Sequence, residues 1–295
     1  MAPDRLASLR DKVAIVTGAG GGLGRKYALL LASYGVKVIV NDYGGSLDGQ
    51  RGTILRAQSV VDEIKVVEGE VIPDGHDISS KKEIQAMVDG AVSAFGTVHI
   101  LINNAGTAGQ FSSHDNVNIS SFRRTWEIAA LGTILTISTV YPIMEKQHYG
   151  RIINTSSDSI YSFGAGGDTA YTSSKVAVFA TTKDLGRYSE KHGIKINGVL
   201  PSAVSRMSDL SPLIKKITRT YFETSKVAVF VAALASEECP VSGELFSVGG
   251  GRAARTTFVT FPGHSNETTA EGYLANFDEV MGKIEDCYVP TRCLD

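Results

Sequence analysis

The stretch Thr17-Gly18-Ala19-Gly20-Gly21-Gly22-Leu23-Gly24 decides the fold. It follows an apolar run, Val13–Val16, and opens a segment with apolar residues at helical intervals. This context predicts a strand, a tight glycine turn and a helix in direct succession. Glycines in such a turn let backbone N–H groups and the helix N-terminus approach a pyrophosphate closely. We therefore expect a phosphate-bearing ligand here, the alternative being a glycine-rich turn that binds nothing.

The same alternation of short apolar runs and longer helical segments continues from Val13 to Val248. It predicts an α/β fold, a doubly wound, seven-stranded parallel sheet of the Rossmann type with helices on both faces, in a single domain. The predicted strands are Val13–Thr17, Lys37–Asn41, Glu70–Ile72, Ile100–Asn103, Arg151–Thr155, Lys195–Val199 and Leu245–Val248. The predicted helices are Leu23–Tyr34, Thr53–Glu68, Lys81–Phe95, Ser120–Gln147, Ala170–His192 and Ser225–Ser236.

Two irregular connections and a tail complete this organisation. Tyr43–Gly52 is rich in glycine and predicts a surface loop. Pro201–Pro212 predicts a second irregular connection, after the carboxyl end of a strand, where such sheets bind ligands. The Rossmann domain is predicted to span residues 1–251, and residues 252–295 form a polar C-terminal extension with one helix near Ala270–Ile284.

The second predicted strand leads into Asp42, roughly 20 residues beyond the glycine turn, where this fold places a carboxylate that binds the adenosine ribose of a dinucleotide. The 2′-phosphate of NADP would meet a like charge there, so Asp42 favours NAD over NADP. Arg25 and Lys26 beside the turn could reach a phosphate, which keeps NADP as the second cofactor. The alternative is that Asp42 only caps a turn.

Tyr171 and Lys175 are four residues apart in a predicted helix and therefore share one helical face. A free phenol has a pKa near 10, approximately, and a nearby positive charge favours its ionised form. The pair could then handle a proton at neutral pH. A Tyr-x-x-x-Lys pair in an arbitrary helix is usually a surface pair, but this one follows a strand that ends in hydroxyls, Thr155-Ser156-Ser157.

Together with Asn103-Asn104-Ala105-Gly106 after the fourth strand, these motifs resemble the short-chain dehydrogenase family. The resemblance implies an NAD(P)-dependent oxidoreductase in which Ser157 binds the substrate oxygen, Tyr171 moves the hydroxyl proton and Lys175 also binds the nicotinamide ribose. The loop before Tyr171 is one residue longer than usual, so Ser156 and Ser159 stay alternatives. The implied cofactor contacts are Gly18, Gly22, Leu23, Gly24, Asp42, Asp77, Ile78, Asn104, Tyr171, Lys175 and Val204.

One position departs from the family pattern. The family usually has an asparagine three residues before a glycine in the helix after the fourth strand, where it keeps a water in the proton relay. Here Ala129 occupies that place before Gly132. The chain is therefore either a dehydrogenase with a substituted relay, which we favour, or a short-chain dehydrogenase scaffold with non-redox chemistry of the isomerase, cyclase or lyase type.

Within the family, several segments resemble the (3R)-hydroxyacyl-CoA dehydrogenase unit of peroxisomal multifunctional enzymes and its stand-alone relatives. They include the stretches at 18–29, 40–45, 149–157 and 271–278. The substrate-facing stretches at 107–118 and 162–169 do not match that pattern. A 3-hydroxyacyl-CoA-like substrate and a ketone or alcohol of a specialised biosynthetic pathway both remain as predictions.

Composition excludes several other functions. A net charge of −2 gives no basic surface for nucleic acid, and we expect no apolar run to approach the roughly 20 residues of a membrane span. The six histidines lack metal-ligand spacing, so no metal is expected. The helices after Ser120 and Ala170 carry more apolar residues than one face of a sheet needs, and the family resemblance implies that they pair in a homodimer or homotetramer. We expect a cytoplasmic protein with a small-molecule substrate; a peroxisomal location is the alternative, although Cys293-Leu294-Asp295 is no peroxisomal targeting tripeptide.

Overall fold

The computed structural model describes residues 6–46, 52–113, 115–161, 169–204 and 212–289. It divides into two compact units, Met1–Arg255 and Thr256–Asp295. The first unit contains a sheet with strand order β3-β2-β1-β4-β5-β6-β7-β8. The strands are β1 (Val13–Thr17), β2 (Lys37–Asn41), β3 (Val71–Asp74), β4 (Ile100–Asn103), β5 (Gly150–Thr155), β6 (Ile194–Ser202), β7 (Leu245–Gly249) and β8 (Arg252–Thr256).

The pairs from β3 through to β7 are all parallel, as the sequence predicted. The eighth strand was not predicted, because β8 is a mostly exposed and charged edge strand without an apolar run. All other predicted strands form. The strand order turns back between β1 and β4, and this is the point at which open α/β sheets bind their ligands.

The helices of the first unit are α1 (Gly22–Ser33), α2 (Leu55–Val66), α3 (Lys81–Phe95), α4 (Ile119–Trp126), α5 (Gly132–Lys146), α6 (Thr169–Ser189), α7 (Pro212–Tyr221) and α8 (Thr224–Ala235). Helix α7 was not predicted, and β6 extends into the predicted irregular connection Pro201–Pro212 as far as Ser202. Residues 205–211 of that connection lie outside the described residues. The loop prediction for Tyr43–Gly52 holds for residues 43–46, while residues 47–51 lie outside the described residues.

The sheet separates two apolar cores. Successive side chains of β1 alternate between them, since Ala14 and Val16 pack with helices α1, α2 and α8, whereas Val13 and Ile15 pack with α3 and α5. Every residue of β1, β4 and β5 is buried, which is expected of a parallel sheet that helices cover on both faces. This packing fixes the carboxyl ends of the strands and so positions the side chains that follow them.

The predicted long helix from Ser120 is interrupted. One turn of π-helix, Glu127–Leu131, joins α4 to α5. By length and composition, the whole run Ile119–Lys146 could cross a membrane, so the expectation that no segment approaches such a span is wrong. Half of its most apolar window is buried inside the protein, as in a core helix of a sheet protein.

The second unit is described by itself. Its helices are α9 (Ala270–Ala275) and α10 (Phe277–Met281), so the single predicted helix near Ala270–Ile284 is in fact broken. The Thr269 hydroxyl accepts the Gly272 N–H and caps α9. A bridge between Thr260 and Tyr288 closes the unit.

Candidate active site

The glycine turn forms the first part of the site. Gly18 and Gly22 both have left-handed backbones, with φ of 63° and 53°. At Gly24 a Cβ would lie 2.3 Å from the Gly18 carbonyl oxygen, so only glycine permits this close packing. Leu23 packs against the apolar core beneath the turn.

The open face of this turn fits a pyrophosphate. A Cβ at Gly21 or Gly22 would meet no atom within 4 Å, so there is free space directly over the start of α1. The N-cap position, Gly21, provides no side chain for the first N–H groups of the helix. Unpaired N–H groups and the positive end of a helix dipole form an anion site, and the residues present therefore fit a dinucleotide.

Asp42 lies beside the turn at the carboxyl end of β2, where the sequence predicted the ribose contact. It is 8 % exposed, and its two carboxylate oxygens accept the N–H groups of Gly20 at 2.8 Å and Gly44 at 2.7 Å. These bonds fix the carboxylate, and each oxygen keeps a lone pair for a further hydroxyl donor.

Asp77 and Ile78 follow β3 at the carboxyl edge of the sheet, where the sequence predicted cofactor contacts. Burial alone would raise the pKa of Asp77, but hydrogen bonds from Ser79 and Arg124, together with the Arg124 charge, hold that pKa below its usual value. Arg124 Nη2 lies 2.9 Å from Asp77 Oδ2. Ile78 is buried. If Gly132 had a Cβ, that atom would lie 2.9 Å from the Ile78 carbonyl oxygen, so the two backbones are close together.

Asn104 joins the glycine turn to the end of β4. Its Nδ2 donates to the carbonyl oxygens of Thr17 and Gly18, both at 3.0 Å. Behind it, Asn103 donates to Asn154 at 3.0 Å within the buried sheet. These amides lock the strand ends together, so the glycine turn keeps its position relative to the rest of the cleft.

Tyr171 and Lys175 lie on α6 at the opposite end of the cleft. The Lys175 Nζ is 5.6 Å from the centre of the Tyr171 ring and donates to the Thr155 carbonyl at 2.8 Å. Lys175 is only 3 % exposed, and burial lowers its pKa to about 8. A Cβ at Gly106 would lie 3.4 Å from Nζ, so the Asn-Asn-Ala-Gly turn leaves space for the ammonium.

The three candidate serines differ in their surroundings. Ser156 is buried, and its hydroxyl donates to the Lys175 carbonyl at 2.8 Å. Ser159 is 5 % exposed, and its Oγ has no partner in the described part of the chain. Ser157 is half-buried, and its Oγ accepts the Ser159 N–H at 3.1 Å. Ser157 is therefore the most accessible of the three hydroxyls.

A small pocket has Tyr171 in its lining. It is lined by residues of the connection after β4 and by the starts of α4 and α6. The lining residues are Ala108, Gln110, Ser112, Ser113, Val117, Phe122, Thr169, Ala170 and Tyr171. Its mixture of hydroxyl, amide and apolar groups is suited to a small polar molecule. Residues 162–168, which belong to the predicted substrate-facing stretch 162–169, lie outside the described residues.

Ala129 lies in the π-turn and is buried, with its carbonyl accepting the Thr133 hydroxyl at 2.8 Å. The adjacent Trp126 donates its indole N–H to Ser173 at 3.0 Å and ties this region to α6. Val204, the predicted contact after β6, is half-buried, and its N–H donates to the Phe222 carbonyl at 3.1 Å.

The ion pair between Arg124 and Asp77 was not predicted from the sequence. No local signal pointed to it, because the two residues are 47 positions apart. The hydrogen bond from the Gly20 N–H to Asp42 was also not predicted, although the glycine run contains that residue.

Comparisons with known proteins agree with this fold. The family model described as short chain dehydrogenase matches residues 12–212. Peroxisomal multifunctional enzyme type 2 of Drosophila melanogaster is 34% identical over 253 residues, which cover 84% of this chain and 40% of that protein. The chain thus spans about two fifths of that relative's length.

Two solved structures share the fold over most of this chain. A short chain dehydrogenase from Mycobacterium avium has a TM-score of 0.80 and 27% identity, covering 96% of this chain and 98% of that one. A 7α-hydroxysteroid dehydrogenase complexed with NADH and 7-oxo glycochenodeoxycholic acid has a TM-score of 0.75 and 29% identity, covering 85% of this chain and 98% of that one.

Proposed function

Because the chain belongs to the short-chain dehydrogenase family, we propose that it is an NAD-dependent oxidoreductase that interconverts a secondary alcohol and a ketone. The observation that carries this proposal is the buried Lys175 ammonium, one helical turn from Tyr171, beside a pocket that the Tyr171 ring lines. When bound, the nicotinamide supplies the chemistry of hydride transfer at the carbinol or carbonyl carbon.

Tyr171 handles the proton. In alcohol oxidation its phenolate accepts the hydroxyl proton, and in ketone reduction its phenol donates one. Lys175, with a pKa of about 8, carries its positive charge at neutral pH. That charge favours the ionised phenol of the neighbouring Tyr171. The Lys175 ammonium also binds the nicotinamide ribose in this proposal, with the Thr155 carbonyl holding it from the other side.

Ser157 holds the substrate oxygen. Its hydroxyl is more accessible than that of Ser156, which is committed to the Lys175 carbonyl. Ser159 supports Ser157 through its main-chain N–H. A hydroxyl that donates to the carbonyl oxygen stabilises the negative charge that develops there during reduction.

NAD is the proposed cofactor because Asp42 lies at the ribose corner. Its carboxylate is fixed by two N–H groups, so it cannot turn away from a 2′-phosphate, and it accepts a 2′-hydroxyl well. The 7α-hydroxysteroid dehydrogenase structure, a complex with NADH, supports this choice. The other proposed cofactor contacts are Gly18, Gly22, Leu23, Gly24, Asp77, Ile78, Asn104 and Val204.

The substrate is proposed to be a 3-hydroxyacyl-CoA-like molecule or a ketone of a specialised pathway. The similarity to the peroxisomal multifunctional enzyme of Drosophila supports a peroxisomal location, with the cytoplasm as the other proposed location. The hydroxyls and amide of Ser112, Ser113 and Gln110 beside Tyr171 favour a small polar ketone.

Ala129 favours a second candidate function, non-redox chemistry on the same scaffold. Since an alanine side chain cannot hydrogen-bond a relay water, proton exchange between Lys175 and solvent would have to take another route. An isomerase, cyclase or lyase reaction needs Tyr171 as an acid or base but needs no net hydride transfer.

We also propose that the chain forms a homodimer or a tetramer built from it. The outer face of α4 and the π-turn exposes apolar side chains, namely Ile119 (63%), Trp126 (36%) and Leu131 (42%). This face also forms an apolar groove with Phe122. Two copies that pack these faces together would remove the apolar area from water. Light scattering at micromolar concentration tests this, and a monomer would contradict it.

The function is tested by a screen of ketones, 3-oxoacyl-CoA analogues and secondary alcohols with NAD(H) and NADP(H), followed at the nicotinamide absorbance. Turnover with any of these substrates, and its loss in Tyr171→Phe, is the expected result. Cofactor binding with chemical conversion of a substrate but no absorbance change would instead establish the non-redox candidate.

A further inference from the structure

A carboxylate directly follows Ser157 at the carboxyl end of β5. Asp158 opens a short 3-10 helix, and the Ser159 N–H donates back to the Ser157 Oγ at 3.1 Å, so the three residues form one tight turn. The Oδ2 of Asp158 accepts the Ser202 hydroxyl at 3.0 Å. Since Ser202 ends β6, this bond joins the carboxyl ends of two neighbouring strands. Asp158 therefore lies at the edge of the sheet at which the reaction is proposed to take place.

This turn has hydrogen-bonding capacity that the described residues leave unused. The Oδ1 of Asp158 is shielded from solvent and accepts no hydrogen bond from them. No basic side chain in the described part of the chain forms an ion pair with Asp158. The Ser159 hydroxyl is likewise buried and unpaired there. Buried polar groups are nearly all hydrogen-bonded in folded proteins, so an unused acceptor and an unused hydroxyl together indicate a polar group of a bound molecule.

We propose that Asp158 and Ser159 bind a second hydroxyl group of the substrate, on a carbon next to the reacting one. The inference rests on the proposed function, in which Ser157 holds the oxygen at the reacting carbon. Because Asp158 follows Ser157 in the same turn, a neighbouring hydroxyl of the substrate comes close to the carboxylate. The terminal torsion of an aspartate is broad, so rotation about its Cβ–Cγ bond brings an oxygen to that hydroxyl.

This subsite separates the two proposed substrate classes. An ionised carboxylate only accepts hydrogen bonds, so it needs a donor on the substrate. A vicinal diol or an α-hydroxy ketone carries that donor, whereas a 3-hydroxyacyl thioester has only C–H groups on the carbons that flank the reacting one. An ammonium would also donate to Asp158, but it leaves the Ser159 proton without an acceptor, and a hydroxyl satisfies both groups. The substrate is therefore a diol or hydroxy ketone.

The subsite is tested with three alcohols that share one ring, namely cyclohexanol, cyclohexane-1,2-diol and 2-aminocyclohexanol, and with 3-hydroxybutyryl-CoA. Oxidation with NAD is followed at the nicotinamide absorbance, and kcat/KM is compared between substrates. The wild type should prefer the diol to cyclohexanol by about 10- to 100-fold, the value of one hydrogen bond to a charged group. Asp158→Ala should lower this ratio to less than about threefold. Asp158→Asn keeps the size of the side chain and a neutral acceptor, and its ratio should fall between the two.

Asp184→Ala is the matched control, because Asp184 is an exposed carboxylate on α6 and its loss should leave the ratio unchanged. The ratio compares two substrates on one protein sample, so it does not depend on the fraction of a variant that is folded. An unchanged ratio in Asp158→Ala and Asp158→Asn overturns the inference and leaves a bound water as the partner of the carboxylate.

A wild type that prefers cyclohexanol, 2-aminocyclohexanol or 3-hydroxybutyryl-CoA to the diol also overturns the inference, but it leaves the proposed function intact. A wild type that oxidises none of these probes, and none of the alcohols in the substrate screen, overturns the proposed function itself.

Discussion

Replacing Lys175 by methionine should make the protein more stable and less active. Methionine has a similar length but carries no charge. Burial lowers the pKa of Lys175 from 10.5 to about 8. That fall corresponds to roughly 3 kcal/mol of lost solvation of the ammonium, because each pKa unit is worth about 1.4 kcal/mol. The hydrogen bond from Nζ to the Thr155 carbonyl returns about 1.5 to 2 kcal/mol of this. The variant should therefore gain about 1 to 2 kcal/mol at pH 7.

The pH dependence of this gain has a definite sign. Below pH 8 the wild-type lysine is charged in both the folded and the unfolded chain, so the folded state bears the full cost of burying the charge. Between pH 8 and 10.5 the folded chain releases its proton while the unfolded chain keeps it, and wild-type stability rises. The advantage of Lys175→Met should thus be largest below pH 8 and fade toward pH 10.5.

Urea unfolding of both proteins at several pH values measures the effect, with turnover assayed in parallel. Turnover should fall by about 10²-fold or more, since the phenol loses the charge that favours its ionised form. Lys183→Met is the matched control on the same helix, because Lys183 pairs with Glu244 at 3.1 Å and its loss should bring no stability. A Lys175→Met protein that is less stable than wild type at pH 7 would refute the reasoning.

Two further perturbations have defined outcomes. Gly22→Ala should weaken NADH binding by about tenfold or more, because it places a methyl in the open cradle and also strains a left-handed residue. Gly21→Ala places a methyl in the same cradle without that strain, because its backbone is extended, and should weaken NADH binding less. Unchanged binding in both variants would contradict the cradle. His99 accepts the Val13 N–H at Nδ1, and burial, with the Lys12 charge, lowers its pKa. The neutral His99 side chain therefore stabilises the folded protein above about pH 6.5, and this stabilisation is lost as the pH falls through the lowered pKa of His99. A His99→Gln variant should flatten this acid limb in urea unfolding, and an unchanged pH profile would contradict the assignment.

Most strands and the site edge could be predicted from the sequence because they follow from local patterns. The run Thr17–Gly24 fixes a strand, a turn and a helix by backbone conformation alone. Buried parallel strands such as β4 read as continuous apolar runs, and the side chains that follow them meet at one edge of the sheet. The helical period alone predicted that Tyr171 and Lys175 lie on the same helical face.

The remaining features depend on contacts between distant segments, and these leave no local pattern. The π-turn at Glu127–Leu131 keeps the apolar period of an ordinary helix. Strand β8 is charged and forms only because β7 offers it an edge. Asp158 and Ser202 meet at the carboxyl ends of β5 and β6, and neither sequence neighbourhood indicates their hydrogen bond.

The central claim is that Tyr171 moves the substrate proton in a cleft that holds a nicotinamide cofactor. The most direct test measures turnover of Tyr171→Phe and of the wild type on the same substrate, with NADH binding of both determined by fluorescence. The account predicts that turnover falls by about 10²- to 10⁴-fold while the dissociation constant of NADH stays nearly unchanged. A variant that keeps more than about a tenth of wild-type turnover would contradict it.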